Sequence, residues 1–141
     1  HVQDGLVMPH GHPDWGFLGD WVPPGRGQGK EERVDDESTL FFNNAYWLLS
    51  LQRMQAIATV LGDDASARRY AEQASALRAR VNARFFHAAA HTYANGEQPY
   101  QALALLAGLP QADERARVLQ VLCDDIAARG GHQLRFGIGR A

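Results

Sequence analysis

Residue 37 divides this 141-residue chain into two unlike parts. Before it stand seven glycines, four prolines and two of the three tryptophans, a density of chain breakers that makes residues 1–36 read as loop. After it, apolar residues recur at three- and four-residue steps in four successive stretches, the spacing of helices that bury one face. The fold class that follows is all-α, with antiparallel αα-hairpins behind a stiff, irregular entry segment.

The spacing predicts a first helix over about 37–61, opened by Asp35-Asp36-Glu37 and Ser38, which suit the positive end of a helix. Phe41, Ala45, Leu48, Leu51, Ala58 and Leu61 form its stripe. Phe42, Tyr46, Trp47 and Leu49 widen that stripe, so the helix is expected to be buried on most sides. Gly62 ends it, and Asp63 or Asp64 caps the next helix. That second helix, about 64–86, has one narrow stripe (Tyr70, Ala74, Leu77, Val81, Phe85) and a charged remainder. A break follows at 87–96, with Tyr93-Ala-Asn-Gly96 as a turn. The third helix spans about 98–107 with Leu103, Leu105 and Leu106, and ends at Gly108-Leu-Pro110. The fourth spans about 111–129 with Val118, Leu119, Leu122 and Ile126, and ends at Gly130-Gly131.

The organisation is therefore a loop region (1–36), a first hairpin (37–86) and a second hairpin (98–129). A mostly buried helix followed by an amphipathic one, twice, is what a closed ring of αα-hairpins requires, and also what an open solenoid gives. The two pairs differ in length and share no 34-residue signature, which argues against tetratricopeptide repeats.

Bulk composition bounds the rest. Length allows at most one domain. The formal net charge is −2 with both signs interspersed, so nothing points to nucleic acid or an anionic membrane as partner. No apolar run approaches the roughly 18–20 residues of a membrane span. The single cysteine, Cys123, excludes an internal disulfide and leaves the compartment open; within a helical pattern it is expected to be a small buried apolar residue. The chain opens at His1 and closes on Phe136-Gly-Ile-Gly-Arg-Ala141, and both ends read as cut.

Chemistry concentrates in the entry segment. Trp15, Trp21, Phe17, Asp14 and Asp20 place flat rings beside carboxylates, which suits a sugar: rings pack on apolar C–H faces and carboxylates accept hydroxyl hydrogen bonds. The competing reading makes both tryptophans plugs of a barrel floor or lid. His10-Gly-His12 with Asp14 is a poor metal site, since no second ligand cluster has matching spacing, and no cofactor is expected. Gly25-Arg-Gly-Gln-Gly29 lacks the Gly-Lys-Ser/Thr ending of a phosphate loop. Lys30 to Glu37 reads as a solvated helix approach, and no nucleophile elbow is present. Inverting glycoside hydrolysis needs two carboxyl groups roughly 6.5–9.5 Å apart. No residue here is marked as an elevated-pKa donor, so that pair is not identifiable.

The order Gly19-Asp20-Trp21, Phe41-Phe-Asn-Asn-Ala-Tyr46, Leu61-Gly62, Ala67-Arg-Arg-Tyr70, Phe85-Phe86, Asn95-Gly-Glu-Gln98, Gln101-Ala102-Leu103 and Gly131-His132 resembles the catalytic domain of bacterial α-L-rhamnosidases over about residues 2–138. The motifs are short individually, and their order and spacing carry the likeness. The resemblance implies part of a six-hairpin (α/α)6 barrel, two hairpins of six, from a glycoside hydrolase that removes terminal L-rhamnose with inversion. It carries Trp21 over as the ring lining the rhamnose pocket, Asp20 as its neighbour at the rim, and His132 as a third substrate-binding candidate. Residues 133–137 depart from the Thr-Gly-rich loop of the family. The family's Asp- and Arg-rich acid motif and its Glu-bearing base segment do not occur in these residues, so no catalytic residue is assigned and the chain alone is expected to hydrolyse nothing. The implied partner is a rhamnoside. The rival readings are another six-hairpin glycosidase or a sugar epimerase, and, from another class, a non-catalytic helical-repeat interaction module.

Overall fold

The computed structural model describes residues 1–9 and 37–129. Four helices carry the fold: α1 (Glu37–Val60), α2 (Asp64–Phe85), α3 (Gln98–Leu106) and α4 (Arg115–Ala128). Two short antiparallel ribbons accompany them: β1 (Val2–Gln3) with β2 (Leu6–Val7), and β3 (Phe86–His87) with β4 (Thr92–Tyr93).

Local chemistry explains the boundaries. At the end of α1, Gly62 takes φ +72°, where a Cβ would be strained, and two N–H groups fold back: Asp63 donates to the Ala58 carbonyl (2.9 Å) and Gly62 to that of Thr59 (3.1 Å). The end of α3 repeats this closure, with Gly108 at φ +64°, Leu109 donating to Ala104 (2.9 Å) and Gly108 to Leu105 (3.2 Å). The same glycine-based stop thus ends the first helix of both hairpins. Asp63 then caps α2, its Oδ1 accepting from the Ser66 N–H at 3.0 Å. Pro99 sits in the first turn of α3, where no intrahelical donor is lost.

Three boundaries differ from expectation. The entry loop contains the β1–β2 ribbon, turned by Asp4 (φ 52°) and Gly5 (φ 73°), a pair of left-handed residues that matches strand twist. The break after α2 is itself a hairpin, β3–β4. Helix α4 starts at Arg115 rather than 111, because the Gln111 carbonyl accepts from both Glu114 (3.0 Å) and Arg115 (2.9 Å) in a tight turn after Pro110.

Helix α1 packs along α2 and also on α3, and α3 packs on α4. The core is continuous across both hairpins and includes Phe41, Leu48, Leu77, Val81, Phe85, Leu109 and Val118. Phe41 is its hub, with ring centroids 5.7 Å from Phe85, 5.6 Å from Tyr93 and 6.0 Å from Tyr100.

Several side chains expected inside lie outside. Cys123 is exposed, since it falls well round the helix from Val118, the buried contact of α4. Leu119 on the same helix, Leu106 at the end of α3, and Leu61 beyond α1 are exposed too. Helix α1 is buried or half-buried on most sides over residues 38–49, Tyr46 excepted, but its later turns are open: Met54, Ile57 and Val60, turned away from Leu48 and Leu51, are exposed.

Candidate functional site

The contacts bring the first turns of α1 and α3 and the last turns of α2 and α4 to one end of the bundle. Phe41 of α1 meets Phe85 of α2 and Tyr100 of α3, and the Gln98 side chain of α3 donates to Asp125 of α4. Arg129 grips the same Asp125 through Nε (3.0 Å) and Nη2 (3.0 Å), which raises the guanidinium pKa further above its already high ordinary value. His87 lies 3.8 Å from Glu37 across the rim, an exposed pair that contributes little.

Beneath this end the polar groups are mutually satisfied. The Tyr93 N–H donates to Gln101 Oε1 (2.8 Å), Gln101 Nε2 donates back to the Tyr93 carbonyl (2.9 Å), and the Tyr93 hydroxyl donates to Asn82 Oδ1 (2.8 Å). Asn82 in turn donates to the Leu109 carbonyl at 2.8 Å. Burial, and secondarily the Glu114 charge, push the Tyr93 hydroxyl well above its ordinary pKa, so it stays a neutral donor. A cleft of about 210 Å³ opens between Asn82, Phe86, Tyr93, Gln111, Asp113 and Glu114. Its Glu114 is already held by His91 Nδ1 (2.7 Å) and Arg117 (3.4 Å). This cleft is a brace between the second ribbon and the start of α4.

The side of α1 away from Leu48 carries an aromatic pair. Phe42 and Tyr46, one helical turn apart, pair with centroids 4.7 Å apart and planes tilted by 49°. Tyr46 is 50% exposed while Phe42 packs against the edge of the core. Between them Asn43 Nδ2 donates to the Thr39 carbonyl at 2.8 Å. The apolar spacing alone puts both rings in the buried stripe, whereas Tyr46 is exposed. The readable signal was that Phe42 and Tyr46 sit four residues apart on the side opposite Leu48.

The sequence-derived candidates Trp21, Asp20 and His132 lie outside the described residues, as do Trp15, Phe17, Asp14 and the His10–His12 pair. Among the described residues no group of three histidines, cysteines or acids could hold a metal ion, and no helix is long and apolar enough to cross a membrane.

Residues 8–138 match the family described as the bacterial alpha-L-rhamnosidase 6 hairpin glycosidase domain. The chain belongs to that family. Solved structures agree: it superposes on an alpha-L-rhamnosidase from Dictyoglumus thermophilum with TM-score 0.73 and 29% identity, covering 85% of this chain and 13% of that one. The native alfa-L-rhamnosidase from Aspergillus terreus, at 23% identity, shares the fold with TM-score 0.72, covering 84% of this chain and 14% of that one. The chain thus spans only a small part of either. No curated protein sequence matches it. Within a six-hairpin domain the two hairpins described here form part of an (α/α)6 barrel, and membership answers the choice left open by helix alternation: a section of a ring, not an open solenoid.

Proposed function

We propose that this chain supplies a section of the sugar pocket of a glycoside hydrolase that releases terminal L-rhamnose from rhamnosides with inversion. The observation that carries the reading is the gathering of four helix ends at one place. These are the first turns of α1 and α3 and the last turns of α2 and α4. Residues 1–36 act as the active-site loop region ahead of the hairpins 37–86 and 98–129. Trp21 stacks on the sugar, Asp20 accepts its hydroxyl hydrogen bonds at the rim, and His132 contributes a further polar contact. The rhamnosidase family membership and the two rhamnosidase neighbours favour this activity over another six-hairpin glycosidase or an epimerase. The acid and base stand outside these residues.

The test is a graft in which residues 8–138 replace the aligned stretch of the Dictyoglumus thermophilum enzyme. L-rhamnose binding, followed by titration calorimetry, is expected in the graft and weakened by Trp21→Ala, with smaller losses for Asp20→Asn and His132→Ala. A folded graft that binds L-rhamnose equally well with and without Trp21 contradicts the reading.

A further inference from the structure

The stripe of α1 on the side away from α2 changes character along its length. Toward its C-terminal end it is aliphatic, where Ile57, Val60 and Leu61 with Arg53 and Ala56 line a shallow groove of about 370 Å³. Toward its N-terminal end it is aromatic and carries a polar handle, the Tyr46 hydroxyl. In a ring of hairpins this face, opposite α2, looks inward, so the two ends have different tasks: the aliphatic end is suited to packing, and the aromatic end adjoins the place where the helix termini gather.

Helical side chains lean toward the N-terminus of their own helix, so the Tyr46 ring covers the turn above its Cα. It rests there on Phe42, toward the same end of the bundle as Phe41. We propose that Tyr46 is a further substrate-contacting residue, stacking on the C–H face of the bound sugar with Phe42 as its backing. This rests on the rhamnosidase reading above and names a further aromatic contact for the sugar of that pocket. A tyrosine with half of its surface open and its ring fixed by a neighbour gives a flat apolar face at little entropic cost, with a hydroxyl able to meet a sugar hydroxyl.

The same graft, assayed for cleavage of an aryl α-L-rhamnoside, separates the possibilities. Tyr46→Ala is expected to raise KM about three- to tenfold, the worth of one aromatic contact, with kcat and Tm close to those of the graft. Tyr46→Phe, which keeps the ring, should restore most of that KM. If Trp21→Ala raises KM and Tyr46→Ala does not, or if Tyr46→Ala lowers Tm and leaves KM unchanged, Tyr46 is only a packing residue and the inference fails. If neither substitution affects KM, the pocket reading itself has failed and takes this inference with it.

Discussion

Asn44 and Val7 exchange two hydrogen bonds: the Val7 N–H donates to Asn44 Oδ1 at 2.8 Å, and Asn44 Nδ2 donates to the Val7 carbonyl at 3.0 Å. The amide thus pairs with β2 as a neighbouring strand would, and its Nδ2 also reaches the Leu40 carbonyl at 2.8 Å. One fully buried side chain inside α1 ties residues 1–9 to the helical body.

Replacing Asn44 by Ala leaves the Val7 backbone groups without these partners. The expected cost is about 1–3 kcal/mol, read as a lower urea midpoint, together with faster proteolysis within residues 1–9. Wild-type protection of that segment in the Ala variant would show that the ribbon is held by other means.

Phe41 joins four elements through three ring contacts. Phe41→Ala should cost about 3–5 kcal/mol, while Phe41→Leu, which fills much of the volume, should cost distinctly less. Against a domain stability of about 5–15 kcal/mol, the Ala variant should melt well below wild type by circular dichroism.

Tyr93 gives an alkaline signature. Its proton is held above the ordinary tyrosine value of 10.0 in the folded chain, by burial first and by the Glu114 charge second. Above that pH the unfolded chain binds fewer protons than the folded one, so stability falls as pH rises. Tyr93→Phe should be less stable near neutrality, through loss of the bond to Asn82, and the gap to wild type should narrow above pH 10. Asp63 works on the acid side: the Ser66 hydrogen bonds hold its carboxyl below the ordinary 3.8, so its capping contribution is present above that pH and fades as pH falls through the folded value. Asp63→Ala should lower Tm near pH 7 and change it little at pH 2.

The aliphatic end of α1 predicts association. Ile57 (51% exposed) and Val60 (86%) lie on one open face. The chain by itself should bind a hydrophobic dye and sediment as more than a monomer. Ile57→Lys with Val60→Lys should reduce both while leaving helicity unchanged. Because neither the acid nor the base motif of the family occurs in these residues, the chain by itself should also release no rhamnose in an aryl-rhamnoside assay.

The helices were legible because their stops are local chemistry. Gly62 and Gly108 need left-handed backbone, Asp63 needs only its own Ser66, and the α2 stripe from Ala74 to Phe85 faces one neighbour. The ribbons were less legible. The Asp4-Gly5 turn signal was present, yet it is flanked by strands of two residues, and their pairing is secured by Asn44, 37 positions away. The open later turns of α1 have a related cause. An all-round apolar helix is a statement about a complete ring, whereas two hairpins cover only the side of Phe41, Leu48 and Leu51 and leave Tyr46 and Ile57 open. The motif order that pointed to rhamnosidases was sound, as the match over residues 8–138 shows.

The most direct test of the central claim is a crystal structure of the graft with L-rhamnose bound. The account predicts the sugar at the end formed by the first turns of α1 and α3, with the Trp21 ring on one face and Tyr46 on the other. Rhamnose bound elsewhere, with neither ring in contact, would contradict it.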